Sequence, residues 1–246
     1  MIAQTEVRRR LPPLVLSWDE ETIPLPVRPV RAAGRVRPPL PDIDPPGHWP
    51  TGPAGEPFDF GRHVRRLAAD VARRCPDLGH IDVSRMLFGA TQARSGRAHG
   101  LQARVTPLRC RNGQLTRTRR GVVFQVQRYL VDRREMLYLV TFCLPRFLDQ
   151  SFDEKLVTLF HELFHINPAF DGDLRRHDGR CSIHSRSQKG YDAHMARLAR
   201  DYLSTHPDPA LHSFLRLDFG QLLRRHGRVL GVFVPRPKLV PVASEA

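Results

Sequence analysis

Apolar residues recur at helical spacing from Val64 through Leu67, Ala68 and Val71, while Arg65, Arg66, Arg73 and Arg74 fall largely off that face. The pattern predicts an amphipathic helix that Pro76 stops. Ile81, Val83 and Met86-Leu87-Phe88 then read as a strand or short extended piece, and Leu101 to Leu108 as a weakly alternating strand. Beyond a turn at Arg111-Asn112-Gly113, Val122 to Val131 alternates in strand fashion. Asp132-Arg133-Arg134 turns the chain into a more buried strand, Met136 to Leu144, and the two runs predict a hairpin. Ser151-Phe152-Asp153-Glu154 has the S-x-x-E form of a capping box. It opens a helix whose apolar face holds Leu156, Leu159, Phe160, Leu163 and Phe164, with Thr158, His161 and His165 on another face, and which ends at Asn167-Pro168. A loop rich in Asp, Gly, Arg and His runs to Gly190. Tyr191 to Leu203 repeats the amphipathic pattern through Met195, Leu198, Ala199 and Tyr202. A short helical piece is expected near Leu215 to Leu223, and a Pro-punctuated strand over Val229 to Val234.

This order of elements predicts an α+β fold: an N-terminal helix, an antiparallel sheet of three or four strands, a helix with two histidines, and one further helix. No such period survives in residues 1–57, which hold 13 of the 22 prolines. That segment is expected to be an extended or disordered arm, in which Leu14-Val15-Leu16 and Trp18 offer apolar spots for docking on a partner or on the protein itself. Residues 58–205 are expected to form the folded domain, and 206–246 an extension packed on it.

Composition narrows the classes. The formal net charge is +14, and the only lysines are Lys155, Lys189 and Lys238, so arginine carries the excess. Such a charge favours non-specific attraction to polyanions, DNA among them. Arg117, Arg119 and Arg120 and the arginines of the first helix carry most of this reading, but no aromatics interleave with the basic run as in single-strand binders. The four cysteines, Cys75, Cys110, Cys143 and Cys181, show no CxxC pair, against a zinc ribbon and a disulfide framework. With no apolar signal core near Arg8-Arg9-Arg10, and with Met136 to Leu144 too short to span a bilayer, a soluble cytoplasmic protein is expected.

The chemistry concentrates at His161-Glu162-Leu163-Phe164-His165, an H-E-x-x-H pattern. Imidazoles at i and i+4 stand one turn apart on one helix face and can grip one metal ion, with the glutamate as general base toward a water on it. Zinc with three protein ligands and an open position is the usual hydrolytic arrangement. The third ligand is not a glutamate from a later helix, because no Glu lies between Glu162 and Glu245. The H-E-x-x-H-x-x-G-x-x-H form is also broken, with Pro168 at the glycine and Asp171 at the last histidine. His177, in a glycine-flanked loop able to fold back over the helix, is the leading candidate, with Asp171, His184, His194 and Cys181 as alternatives. Tyr191, His184 or an arginine of the 174–180 loop could donate to an oxyanion. Asp171, Asp173 or Asp178 could orient a ligand histidine or simply be solvated loop residues.

The pentapeptide, followed by Phe170-Asp171-Gly172 and by Arg175-Arg176-His177-Asp178-Gly179, resembles the phage-type metallopeptidases of bacteria and viruses. More distantly it is similar to SprT-like zinc proteases. The resemblance covers roughly residues 58–205. It is specific over 151–180 and looser elsewhere, apart from His99-Gly100-Leu101 through Pro107-Leu108-Arg109. It implies a small zincin-like domain in which His161, His165 and His177 bind zinc and Glu162 is the base. The expected activity is hydrolysis of peptide bonds in a protein or peptide substrate. The rival expectations are a nucleic-acid-associated protein with a structural or degenerate zinc site, and a non-proteolytic zinc amidase.

Overall fold

The computed structural model describes residues 11–33, 51–95, 100–176 and 188–242. In chain order the strands and helices are β1 (Val15–Trp18), β2 (Val27–Pro29), β3 (Phe58–Asp59), α1 (Phe60–Arg74), β4 (Met86–Gln92), β5 (Ala103–Pro107), β6 (Thr116–Arg119), β7 (Val122–Val126), β8 (Arg128–Val131), β9 (Arg134–Met136), β10 (Tyr138–Leu144), α2 (Phe152–Phe164), α3 (Gln188–Ser204), α4 (Pro209–His212), α5 (Phe219–His226), β11 (Val229–Val232) and β12 (Leu239–Pro241). The expected α+β class holds.

The centre is the sheet β4-β10-β5. Its middle strand is the most apolar run of the chain, as a strand buried along most of both faces requires. Val140, Phe142 and Leu144 point to one side, where they join Leu67, Ala68 and Val71 of α1 and Leu156, Leu159, Phe160 and Leu163 of α2 in the main core. Each large apolar side chain closed off there contributes about 1.5–3 kcal/mol. Leu139 points the other way and, with Leu87 and Leu108, meets Trp18, Tyr129 and Met136 in a smaller cluster. The Trp18 and Tyr129 rings meet edge to face at 5.3 Å.

Two expectations are corrected by the pairing. The sheet is mixed rather than antiparallel: β5 runs antiparallel to β10, but β4 is parallel to it. The hairpin of Val122–Val131 with Met136–Leu144 does not form. Gln127 breaks the first run, so that β7 pairs with β6 and β12, while β8 makes a short hairpin with β9 across the positive-φ residues Asp132 and Arg133. The reason lies in the buried Gln127 amide, which donates from Nε2 to Pro13 O at 2.7 Å and accepts from Lys238 N at 3.0 Å. The part of the Pro-rich arm that is described is extended and docks on the protein itself: β1 pairs in parallel with β8, and β2 antiparallel with β11.

Local signals place the helices. The Asp59 side chain accepts from Arg62 N at 2.9 Å and caps α1, and Cys75 closes it just before Pro76. The capping box of α2 forms as expected, Ser151 with Glu154. The helix stops with His165 as C-cap, two residues before the expected Asn167. The segment after residue 206 enters the main core through Phe214, Leu215, Leu217, Phe219 and Leu222. Lys155 of α2, 1% exposed, anchors it by donating from Nζ to Leu215 O at 2.9 Å and to Leu217 O at 2.7 Å. Among the described residues no helix is long and apolar enough to cross a membrane.

Candidate metal centre

The last turn of α2 carries the candidate chemistry. The His161 and His165 rings lie edge to face with centroids 4.7 Å apart, as i and i+4 positions on one helix face require. His165 is buried and His161 half-buried. Tyr191 of α3 stands over both: its ring lies 4.9 Å from that of His161 and stacks on that of His165 at 5.7 Å, with its hydroxyl 3.4 Å from His165 Nδ1. Burial raises the Tyr191 hydroxyl far above its ordinary value, so it remains a donor. The Asp192 carboxylate lies 3.8 Å from His161 Nδ1. A carboxylate or hydroxyl at the Nδ1 side of a ligating histidine is the outer contact that orients it in metal sites.

Glu162 points from the helix toward the sheet, 8% exposed. Its Oε2 accepts from Val105 N, on β5, an edge strand among the described residues, at 2.6 Å. Burial pushes the carboxyl up to about 7, against the opposing pull of the Val105 N–H and of the Arg104 guanidinium. A carboxylate with this proton affinity can both take and return a proton near neutral pH.

The chain after the motif is folded tightly back on the helix. Ile166 and Leu174 form a bridge, and Arg175 N donates to His165 O at 2.7 Å. Tyr138 of β10 ties the loop to the sheet, donating its hydroxyl to Asp173 O at 2.8 Å and accepting from Gly172 N at 3.0 Å. Gly172 has φ +88°, and a Cβ there would stand 2.5 Å from Arg109 Cγ, so only glycine fits. The Arg175 guanidinium lies 3.9 Å over the Phe164 ring.

The candidate residues thus divide. His161, Glu162, His165 and Tyr191 are brought together. Asp171 turns away, accepting at Oδ1 from Asn167 Nδ2 at 2.9 Å and Asp173 N at 3.0 Å. Asp173 is buried rather than solvated and accepts from Asn112 N at 3.0 Å and Arg176 Nη2 at 2.9 Å, so it shapes the loop. His194 packs on Phe164 at 5.2 Å between ring centroids, with its Nδ1 2.6 Å from Arg197 Nη2. His177, Asp178, Cys181 and His184 lie outside the described residues. Among the described residues no group of three or more His, Cys, Asp or Glu side chains converges as a metal site. Two imidazoles beside a carboxylate nevertheless fit zinc as part of a three-ligand set.

Sequence reasoning passed over Val105, whose contribution is a backbone N–H and leaves no side-chain signal. It also passed over Tyr138, whose hydroxyl is hidden in an apolar run. Asp192 was within reach as the neighbour of Tyr191.

No family model, curated protein or solved structure matches this chain. The residues of the site therefore carry the functional argument by themselves.

Proposed function

We propose that the protein is a zinc-dependent metallopeptidase of zincin-like architecture, with His161 and His165 as two ligands, His177 as the third and Glu162 as general base. The observation that carries this is the pair of imidazoles 4.7 Å apart on one face of α2, with the Glu162 carboxylate buried between that helix and a sheet edge. The return of Arg175 to His165, two residues ahead of His177, supports His177 as the third ligand, since two residues of chain span at most about 7 Å.

Zinc bound at these residues supplies Lewis acidity toward a water and a scissile carbonyl. The chain's own groups handle the proton and the substrate. Val105 N–H fixes Glu162 Oε2, so Oε1 takes the proton from the attacking water and hands it to the leaving amine. Tyr191, kept protonated by burial, offers a hydrogen bond beside the histidines. Among the described residues β5 is an edge strand, and apart from the Val105 N–H that Glu162 holds its outward backbone suits an extended peptide, which makes a protein or peptide the substrate class.

Glu162→Gln is expected to lower hydrolysis of casein by about 10²–10⁴-fold while zinc, measured by atomic absorption, stays stoichiometric. Zinc loss in this variant, or full activity, overturns the base assignment. His161→Ala, His165→Ala and His177→Ala are each expected to lose most of the zinc. Stoichiometric zinc in His177→Ala moves the third ligand to another residue.

A further inference from the structure

The face of the central sheet turned away from α1 and α2 is only partly covered. Beside the Trp18–Tyr129 cluster it opens into a groove of about 300 Å³. Strand register builds its floor. On β10, Leu139 stands opposite Thr106 of β5, Thr141 opposite Arg104, and Cys143 opposite Thr91 of β4. Three hydroxyls from three adjacent strands thus face one space. Gly89, the other neighbour of Thr141, lets the chain after β11 close on the sheet beside the groove; a Cβ there would sit 3.3 Å from Leu139 Cδ1 and 3.4 Å from Val232 O. Phe233 and Val234, in the segment after β11, form an apolar wall with Leu139.

The charge in the groove has one sign. Arg104 and Arg236 line it, and among the described residues no aspartate or glutamate does. Arg28 adds a third cation at the wall, its guanidinium carbon 5.5 Å from the Phe233 ring centroid. A few arginines elsewhere do have carboxylates: Arg109 and Arg128 pair with Glu135, and Arg176 with Asp173. Among the described residues neither Arg104 nor Arg236 makes a side-chain hydrogen bond or ion pair, and none of the three threonine hydroxyls is bonded. Guanidinium groups with hydroxyls beside them are suited to a carboxylate or phosphate. An apolar wall with a few convergent polar groups is the usual make-up of a small-molecule site, and 300 Å³ lies at the small end of the range.

We propose that this groove binds a small organic anion, an apolar body of one ring or a short chain carrying a carboxylate or phosphate monoester. The anionic group lies between Arg104 and Arg236 over the threonine hydroxyls, and the apolar body lies against Leu139, Phe233 and Val234. The groove opens on the face of the sheet turned away from the α2 histidines, with Arg104 at the sheet edge acting through space on Glu162 as well.

The test is calorimetric titration of the full chain, stripped of metal with neutral 1,10-phenanthroline and dialysed, at low ionic strength. The probes are phenyl phosphate, 3-phenylpropionate and inorganic phosphate. At least one aromatic anion is expected to bind with 1:1 stoichiometry and more tightly than inorganic phosphate, and the tighter of the two identifies the anionic group. Arg104→Ala and Arg236→Ala should each weaken it roughly tenfold, the weight of one charge-assisted hydrogen bond, and Thr141→Val by a smaller factor. Both arginines are exposed, so these variants keep the wild-type melting temperature. No binding of either aromatic anion at millimolar concentration overturns the proposal. So does binding unweakened in either arginine variant, or inorganic phosphate binding as tightly as the aromatic anions.

Discussion

Lys155 and Glu162 are two buried ionisable side chains, two turns apart on α2. Burial drives both toward neutrality from opposite directions, Lys155 down to about 7 and Glu162 up to about 7. The cause is common and the surroundings are not. Lys155 ends on two backbone carbonyls of the 213–217 turn and is closed off on all sides, with Asp218, Asp149 and Glu154 as the charges that oppose its loss of a proton. Glu162 ends on one backbone N–H of a sheet edge, beside two histidines. A shifted proton affinity therefore marks burial, and the partners decide whether the group is a strut or a chemical centre.

The contrast is breakable by mutation. The largest expected effect is on rate, where Glu162→Gln removes the base yet leaves the melting temperature within about 2 °C of wild type, as a change that keeps side-chain shape does. Loss of folding in that variant erases the distinction. Next, Lys155→Ala strands the carbonyls of Leu215 and Leu217 and opens a cavity between α2 and the C-terminal segment, at a cost of about 2–4 kcal/mol read by urea denaturation. Wild-type stability in Lys155→Ala ends its role as a strut.

A finer test uses pH. Lys155 has a depressed value when folded, so between about 7 and the ordinary lysine value of 10.5 the unfolded chain holds more protons at this site. Wild-type stability at this site therefore rises as pH rises through that window. Lys155→Met has no such dependence, and wild type should gain on it steadily from about pH 7 to pH 9.5 in paired melting curves. A constant difference places the lysine outside the low-dielectric core. Smallest is Ser151→Ala, which removes the capping box that starts the helix carrying both groups and should lower stability by about 1 kcal/mol.

Local features of this molecule were legible in the chain. The capping box, the His-Glu-x-x-His face, the span of α3 and the α+β class all follow from neighbours a few residues apart. What escaped was long-range. Nothing around residue 127 announces that a glutamine will end one strand and start another, because its partners are Pro13 and Lys238. Strand β1 inside a Pro-rich stretch was hidden for the same reason: its partner β8 is far along the chain. At the site, the histidine pair was readable from spacing, while the Val105 donor and the Asp173 anchor depend on which strand and which turn arrive beside them.

The Gln127 clasp also bears on how the chain is made. Its side chain closes on residue 13, made 114 residues before it, and on residue 238, made 111 residues after it. Until then β7 lacks β12, and an apolar strand edge waits in the cell. The nascent chain thus passes through a stage in which the α2 core can already assemble while this flank stays open to chaperones and to other strands.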